Sequence, residues 1–148
     1  MRLTIPLSTR SPAGALRVVL LGRVASPERA SDAIEAQFRR IEMLVRANWS
    51  GPIQITKLGE QASGMSVDRP TIKRAQEMIA AGEVDVILSE DLARISRNAR
   101  HLWDFLQDAD DAGVRVICPA DAFDTAAAAW GTPTHLAPIR RTDLGVAR

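Results

Sequence analysis

The sequence predicts an α/β domain: three layers around a mostly parallel sheet of four to five strands. Three observations carry this. Short apolar runs alternate with stretches whose apolar residues recur every three or four positions, the rhythm of strand–helix crossover units. The strand candidates are apolar almost throughout, as strands covered on both faces are. The 148 residues, 46% hydrophobic and 25% charged, have the composition of one globular domain, which excludes a disordered chain.

Residues 1–16, with Pro6, Ser8, Ser11, Pro12 and Gly14, show no periodicity and read as a loose leader. The domain proper is expected over residues 17–130. Arg17 to Gly22 is the first strand, a short apolar run ended by glycine. From Ser31 to Asn48, Ile34, Phe38, Ile41, Leu44 and Val45 make one face of an amphipathic helix. Ile53 to Leu58 is the second strand, and Gly59 to Arg69, small and polar, a loop. Pro70 suits the first position of a helix with Ile72, Ala75 and Ile79 inward, and Gly82 stops it. Val84 to Leu88 is the third strand, and a polar stretch from Ser89 to Arg97 follows. Asn98 caps a helix carrying Leu102, Phe105, Leu106 and Ala109, which Gly113 ends. Val114 to Cys118 is the fourth strand. Residues 131–148, with Pro and Arg but no periodicity, read as a poorly ordered tail.

Apolar runs such as Val18 to Gly22 are far short of the roughly 20 residues a membrane span needs. Met1 to Arg10 lacks the apolar stretch of a signal peptide, and the single Cys118 allows no intrachain disulfide. A cytoplasmic location is expected. Net charge is +1, so bulk charge does not argue for nucleic acid. Of the 19 basic residues only Lys57 and Lys73 are lysine, leaving seventeen arginines. The guanidinium fork matches phosphate oxygens two at a time, although an arginine-favouring codon usage gives the same count.

Local placement is more telling. In a parallel sheet, ligands bind beyond the carboxyl ends of the strands. The loops there carry Arg23 and Ser26; Glu60, Ser63 and Arg69; and Arg94 and Arg97. Four arginines converging beside a hydroxyl suit phosphoryl chemistry, because they bind a phosphodiester and offset charge growing in its transition state. There is no glycine-rich phosphate loop, no G-x-S-x-G elbow, and no clustered His or Cys set, so neither a cofactor nor a metal is expected.

Taken in order, Arg23 with a following Ser, Glu35-Ala36-Gln37, Ala62-Ser63-Gly64, Asp68-Arg69-Pro70, Leu92-Ala93-Arg94-Ile95-Ser96-Arg97-Asn98 and Asp124-Thr125 form a pattern. It resembles the catalytic domain of the serine recombinases, the resolvase and invertase group. The resemblance implies a resolvase-like α/β fold and DNA as partner. It also implies homo-oligomers on DNA and a metal-free attack by Ser that leaves a 5′-phosphoserine link and a free 3′-hydroxyl. Ser26 would be the nucleophile. Arg23, Arg69, Arg94 and Arg97 would hold the phosphate, and Gln37, Glu60 and Ser63 would position the loops.

The chain departs from the family pattern. The family's nucleophile slot, two residues after the first Arg, holds Ala25, with Ser26 one place late. Glu60 stands where Asp is usual, and Ala93 replaces the Asp preceding the third-loop Arg, with Asp91 two residues earlier. Family members continue into a long helix and a DNA-binding region, whereas two dozen residues follow Asp124. The alternative is a catalytically dead domain that only binds partner recombinases or DNA. Plainer roles also exist. Ser26 before Pro27 reads as a helix N-cap, Ser63 as a turn residue and Gln37 as a polar helix position. Arg69 reads as a solvated helix start, and Arg94 and Arg97 as ion-pair partners of Glu90 or Asp91. Trp103 and Phe105 read as core or interface, and Cys118 as a buried apolar group.

Overall fold

The structure is a computed structural model that describes residues 2–66, 68–127 and 130. Its elements run β1 (Leu16–Val24), α1 (Ala30–Asn48), β2 (Ile53–Gln61), α2 (Pro70–Ala80), β3 (Val86–Ser89), α3 (Leu92–Ile95), α4 (Ala99–Asp111), β4 (Arg115–Cys118) and β5 (Phe123–Asp124). One sheet has the order β2-β1-β3-β4-β5. The first four strands are parallel and β5 is antiparallel to β4. The α/β class and the mostly parallel five-stranded sheet are as the sequence predicts.

Alternate side chains of the strands supply two cores, because successive residues of a strand face opposite ways. Val18, Leu20, Val86, Leu88 and Ile117 pack with Phe38, Ile41, Leu44 and Val45 of α1. Val19, Leu21, Ile87, Val116 and Cys118 pack with α2 and α4 through Ala75, Ile79, Leu102, Phe105 and Leu106. Hence α1 covers one face and α2 with α4 the other, which makes the three layers.

Four local expectations need correction. The leader is not loose. Leu7 is buried in the α1-side core. Thr9 Oγ1 donates to Asp85 Oδ2 at 2.6 Å and the Arg10 amide to Asp85 Oδ1 at 3.0 Å. Arg115 donates to the carbonyls of Ile5 and Pro6. The second strand runs past Leu58 through Glu60 to Gln61, because its ladder with β1 continues to Val24↔Gln61 and overrides the poor strand propensity of Gly59. Gly59 is there for clearance, since a Cβ would lie 2.6 Å from Ile34. Ser26 does not cap α1. The helix starts at Ala30 behind Arg29, whose φ is 52°, and the Ser26 hydroxyl instead accepts the Glu28 amide at 3.3 Å. The polar stretch Ser89–Arg97 contains the short helix α3, capped by Asp91 Oδ1, which accepts the Arg94 amide. Asn98 does cap α4, accepting the His101 amide. The predicted tail, residues 131–148, lies outside the described residues.

Candidate active site

The strand order reverses between β1 and β3, and in such sheets the crevice beyond that point is the binding position. The sheet is stepped there. β1 pairs with β3 only as far as Leu21↔Ser89, yet with β2 as far as Val24↔Gln61. Arg23 therefore has no strand neighbour on one side. Gln37 of α1 fills the place: its Oε1 accepts the Arg23 amide and its Nε2 donates to the Arg23 carbonyl, both at 3.0 Å. The side-chain amide extends the ladder where β3 has stopped, so Gln37 is more than a polar helix position.

The Arg23 side chain, 1% exposed, crosses the crevice. It donates to the Ala62 carbonyl of the β2 loop at 3.1 Å and to the Ala93 carbonyl of α3 at 2.8 Å. Arg69, also buried, pairs with Glu60, which accepts from Thr71 as well. Its other nitrogens donate to the carbonyls of Ile95 at 2.7 Å and Arg94 at 3.2 Å. This placement excludes the solvated-helix-start role for Arg69. Glu90 pairs with Arg40, and Asp91 binds the backbone of residue 94, so neither carboxylate forms an ion pair with the arginines of α3 and its following turn. The Arg97 amide donates to the Gly64 carbonyl at 2.8 Å. Ser63 Oγ accepts the Met65 amide at 3.2 Å, a turn contact within its own loop.

The four arginines lie within each other's fields. Burial first, and then the charges of Arg69, Arg97 and Arg94, push the Arg23 guanidinium below its ordinary value. A guanidinium stays protonated even so, and the cluster is left with excess positive charge. The Nε atoms of Arg23 and Arg94 are buried without a hydrogen-bond partner. Gly64 sits between the guanidinium arms: a Cβ there would lie 2.8 Å from Arg97 Cγ and 3.0 Å from an Arg23 terminal nitrogen. An anion held beside the cluster would relieve this like-charge repulsion.

The structure thus brings Arg23, Arg69, Arg94 and Arg97 together, with Gln37 and Glu60 as their braces. Ser26 and Ser63 are exposed on turns at the same sheet end, and among the described residues neither hydroxyl bonds to an arginine. Sequence reading passed over Thr71 and over Asp121, whose carboxylate accepts the Leu92 amide at 2.7 Å and holds α3. Thr71 was legible, because a hydroxyl in the first turn of α2 follows Arg69 by two residues. Asp121 carried no signal.

Similar proteins bear on this geometry. The family described as "Resolvase, N terminal domain" matches residues 18–134. A resolvase family site-specific recombinase from Streptococcus pneumoniae is 28% identical, with a TM-score of 0.67 over 88% of this chain and 91% of that one. The N-terminal catalytic domain of TP901-1 integrase is 22% identical, with a TM-score of 0.69 over 81% and 90%. The C-terminal catalytic domain of ISC1926 TnpA, an IS607-like serine recombinase, is 21% identical, with a TM-score of 0.62 over 70% of each chain. No curated protein matches the chain. Among the described residues, no helix is long and apolar enough to cross a membrane. A match over most of the chain, on a fold whose arginines gather at one sheet end, means that the chain belongs to the resolvase family, as a serine recombinase catalytic domain.

Proposed function

We propose that this domain binds a DNA phosphodiester in the arginine crevice and cleaves it through Ser26. The observation that carries the reading is the pair of buried, partnerless Nε atoms on Arg23 and Arg94 within a four-arginine cluster. Buried polar groups are nearly always satisfied, and an unsatisfied donor costs about 1–3 kcal/mol. A phosphate gripped by Arg94 would supply the acceptor its Nε lacks, with the positive charge of buried Arg23 behind it. Arg94 and Arg97, which make no side-chain ion pair among the described residues, would grip the phosphate. Arg23 and Arg69 would set the field behind it, with Gln37, Glu60 and Ser63 positioning the loops.

In the step itself, Ser26 Oγ bonds to phosphorus as the P–O3′ bond breaks. The Ser26 proton passes to solvent and the departing 3′-oxygen takes one up. The products are a 5′-phosphoserine link and a free 3′-hydroxyl. Charge building on the phosphoryl oxygens is met by the arginines in place of a metal ion. Rejoining to a new end needs a second cut end held nearby, so the domain acts as an oligomer on DNA.

The replacement of the family's nucleophile and of its third-loop Asp by Ala25 and Ala93 favours a second reading, a domain that grips DNA or a partner recombinase without cutting. A randomised duplex library carrying 3′-bridging phosphorothiolate linkages decides between them. The first reading expects a covalent protein–DNA adduct that Ser26→Ala abolishes while leaving binding intact. Binding with no adduct from the unaltered chain would overturn it in favour of the second, and no binding would overturn the first reading and the DNA-gripping form of the second.

A further inference from the structure

We infer that Gln61 is a positioning residue for the Ser26 turn, an inference that rests on Ser26 as the nucleophile. Gln61 is the last residue of β2 and lies opposite Val24. Its Nε2 donates to the Ala25 carbonyl at 3.0 Å. One residue earlier, the Val24 carbonyl accepts the Ala62 amide at 3.0 Å. The end of β2 therefore grips two successive carbonyls of the chain leading into Ser26, one through its backbone and one through this side chain.

Past Ala25, among the described residues, the turn has only its own bonds: the Glu28 amide to Ser26 Oγ at 3.3 Å and the Ala30 amide to the Pro27 carbonyl at 3.4 Å. Among the described residues, no side chain from outside the turn other than that of Gln61 hydrogen-bonds the backbone of residues 25–29. The far end enters α1 through Arg29 in the left-handed region, at φ 52°. The peptide plane between Ala25 and Ser26 fixes the direction in which the Ser26 Cα–Cβ bond leaves the chain, and Gln61 holds that plane. The Gln61 side chain is exposed and sits in neither core. Its bond orients the turn and adds little to the folded state.

The test separates donor from shape. Gln61→Glu keeps the size and loses the donor; Gln61→Lys keeps an N–H donor of similar reach; Gln61→Ala loses both. On the phosphorothiolate duplex at saturating protein, Glu and Ala are expected to slow adduct formation on the order of 10- to 100-fold, with Lys recovering most of the rate. Duplex Kd and Tm should not change in the uncharged variant Gln61→Ala. Without DNA, hydrogen exchange at the Glu28 and Ala30 amides, the two bonded within the turn, should quicken about tenfold in Gln61→Glu and not in Gln61→Lys. Unchanged rate and exchange in Gln61→Glu, or no rescue by Lys, would overturn the inference. No adduct from the unaltered chain would overturn the Ser26 reading instead; the tether would then be judged by exchange alone, upheld by faster exchange in Gln61→Glu and rejected by none.

Discussion

Arg69 and Arg94 are both arginines in loops at the same sheet end, yet they hold opposite positions in the energetics. Arg69 is buried, paired with partly buried Glu60 and bonded to two carbonyls. Arg94 makes no side-chain ion pair among the described residues and keeps a partnerless Nε. Removing one partner of a buried pair costs about 3–5 kcal/mol, because it strands the other charge. Arg69→Ala is therefore expected to lower the urea midpoint sharply, whereas Arg94→Ala should stay within about ±0.5 kcal/mol of the unaltered chain. Arg94→Ala should instead weaken duplex binding and reduce the slope of log affinity against log salt by about 0.9, one phosphate contact. Equal destabilisation by the two would refute the distinction. Gly64→Ala pushes a methyl into the arms of Arg97 and Arg23 and is expected to weaken duplex binding about tenfold, or about 1.4 kcal/mol, at nearly constant Tm. The sequence made the arginines legible, since each lies at or beyond the carboxyl end of a parallel strand. Which of them are satisfied was not legible, because the acceptors are backbone carbonyls distant in sequence.

At the level of elements, the informative mismatch is between β1 and its neighbours. β1 outruns β3 by three residues, from Leu21 to Val24, and the Gln37 amide completes the ladder. Gln37→Leu would leave the Arg23 amide and carbonyl buried and unpaired, at about 1–3 kcal/mol each. Chemical denaturation should show a loss of that order, and Gln37→Glu should lose less, since one oxygen can still accept the Arg23 amide. The four parallel strands and three long helices were legible from apolar period alone. The overrun of β2 through Gly59 was not, because glycine's low strand propensity speaks only of the isolated chain. Nor was the true start of α1: Ser26-Pro27 has the chemistry of a helix start, but the chain makes a turn of its own first and enters the helix from Arg29.

For the molecule as a whole, the amino-terminal segment clasps the sheet end opposite the arginines. Asp85 is the clasp's centre, accepting from Thr9, the Arg10 amide and both the amide and guanidinium of Arg17. Burial alone would raise its carboxyl, but the bonds from Arg17, Thr9 and Arg10 win and hold it well below the usual carboxylate range. A depressed folded value means that the unfolded chain binds the proton more readily. The stabilisation is thus full above the unfolded value of about 3.9 and fades as pH falls from there toward the folded one. Asp85→Asn should lower Tm at pH 7 and flatten the fall in stability between roughly pH 4 and pH 2. A parallel acid limb in both proteins would show that other carboxylates dominate. The sequence reading of residues 1–16 as a loose leader failed because Pro and Gly report missing regular structure, and irregular chain can still be bonded along its length.

Arg23 reaches forward to a carbonyl at residue 93, and Arg69 to carbonyls at residues 94 and 95. The crevice therefore cannot exist until the segment after β3 has been synthesised. A nascent or broken chain ending before β3 has its first strand and its serine but neither the last two positive charges nor the carbonyls that aim the first two. For a domain proposed to cut DNA through Ser26, this order of assembly would work as a safety catch: incomplete copies would carry the proposed nucleophile without the means to use it.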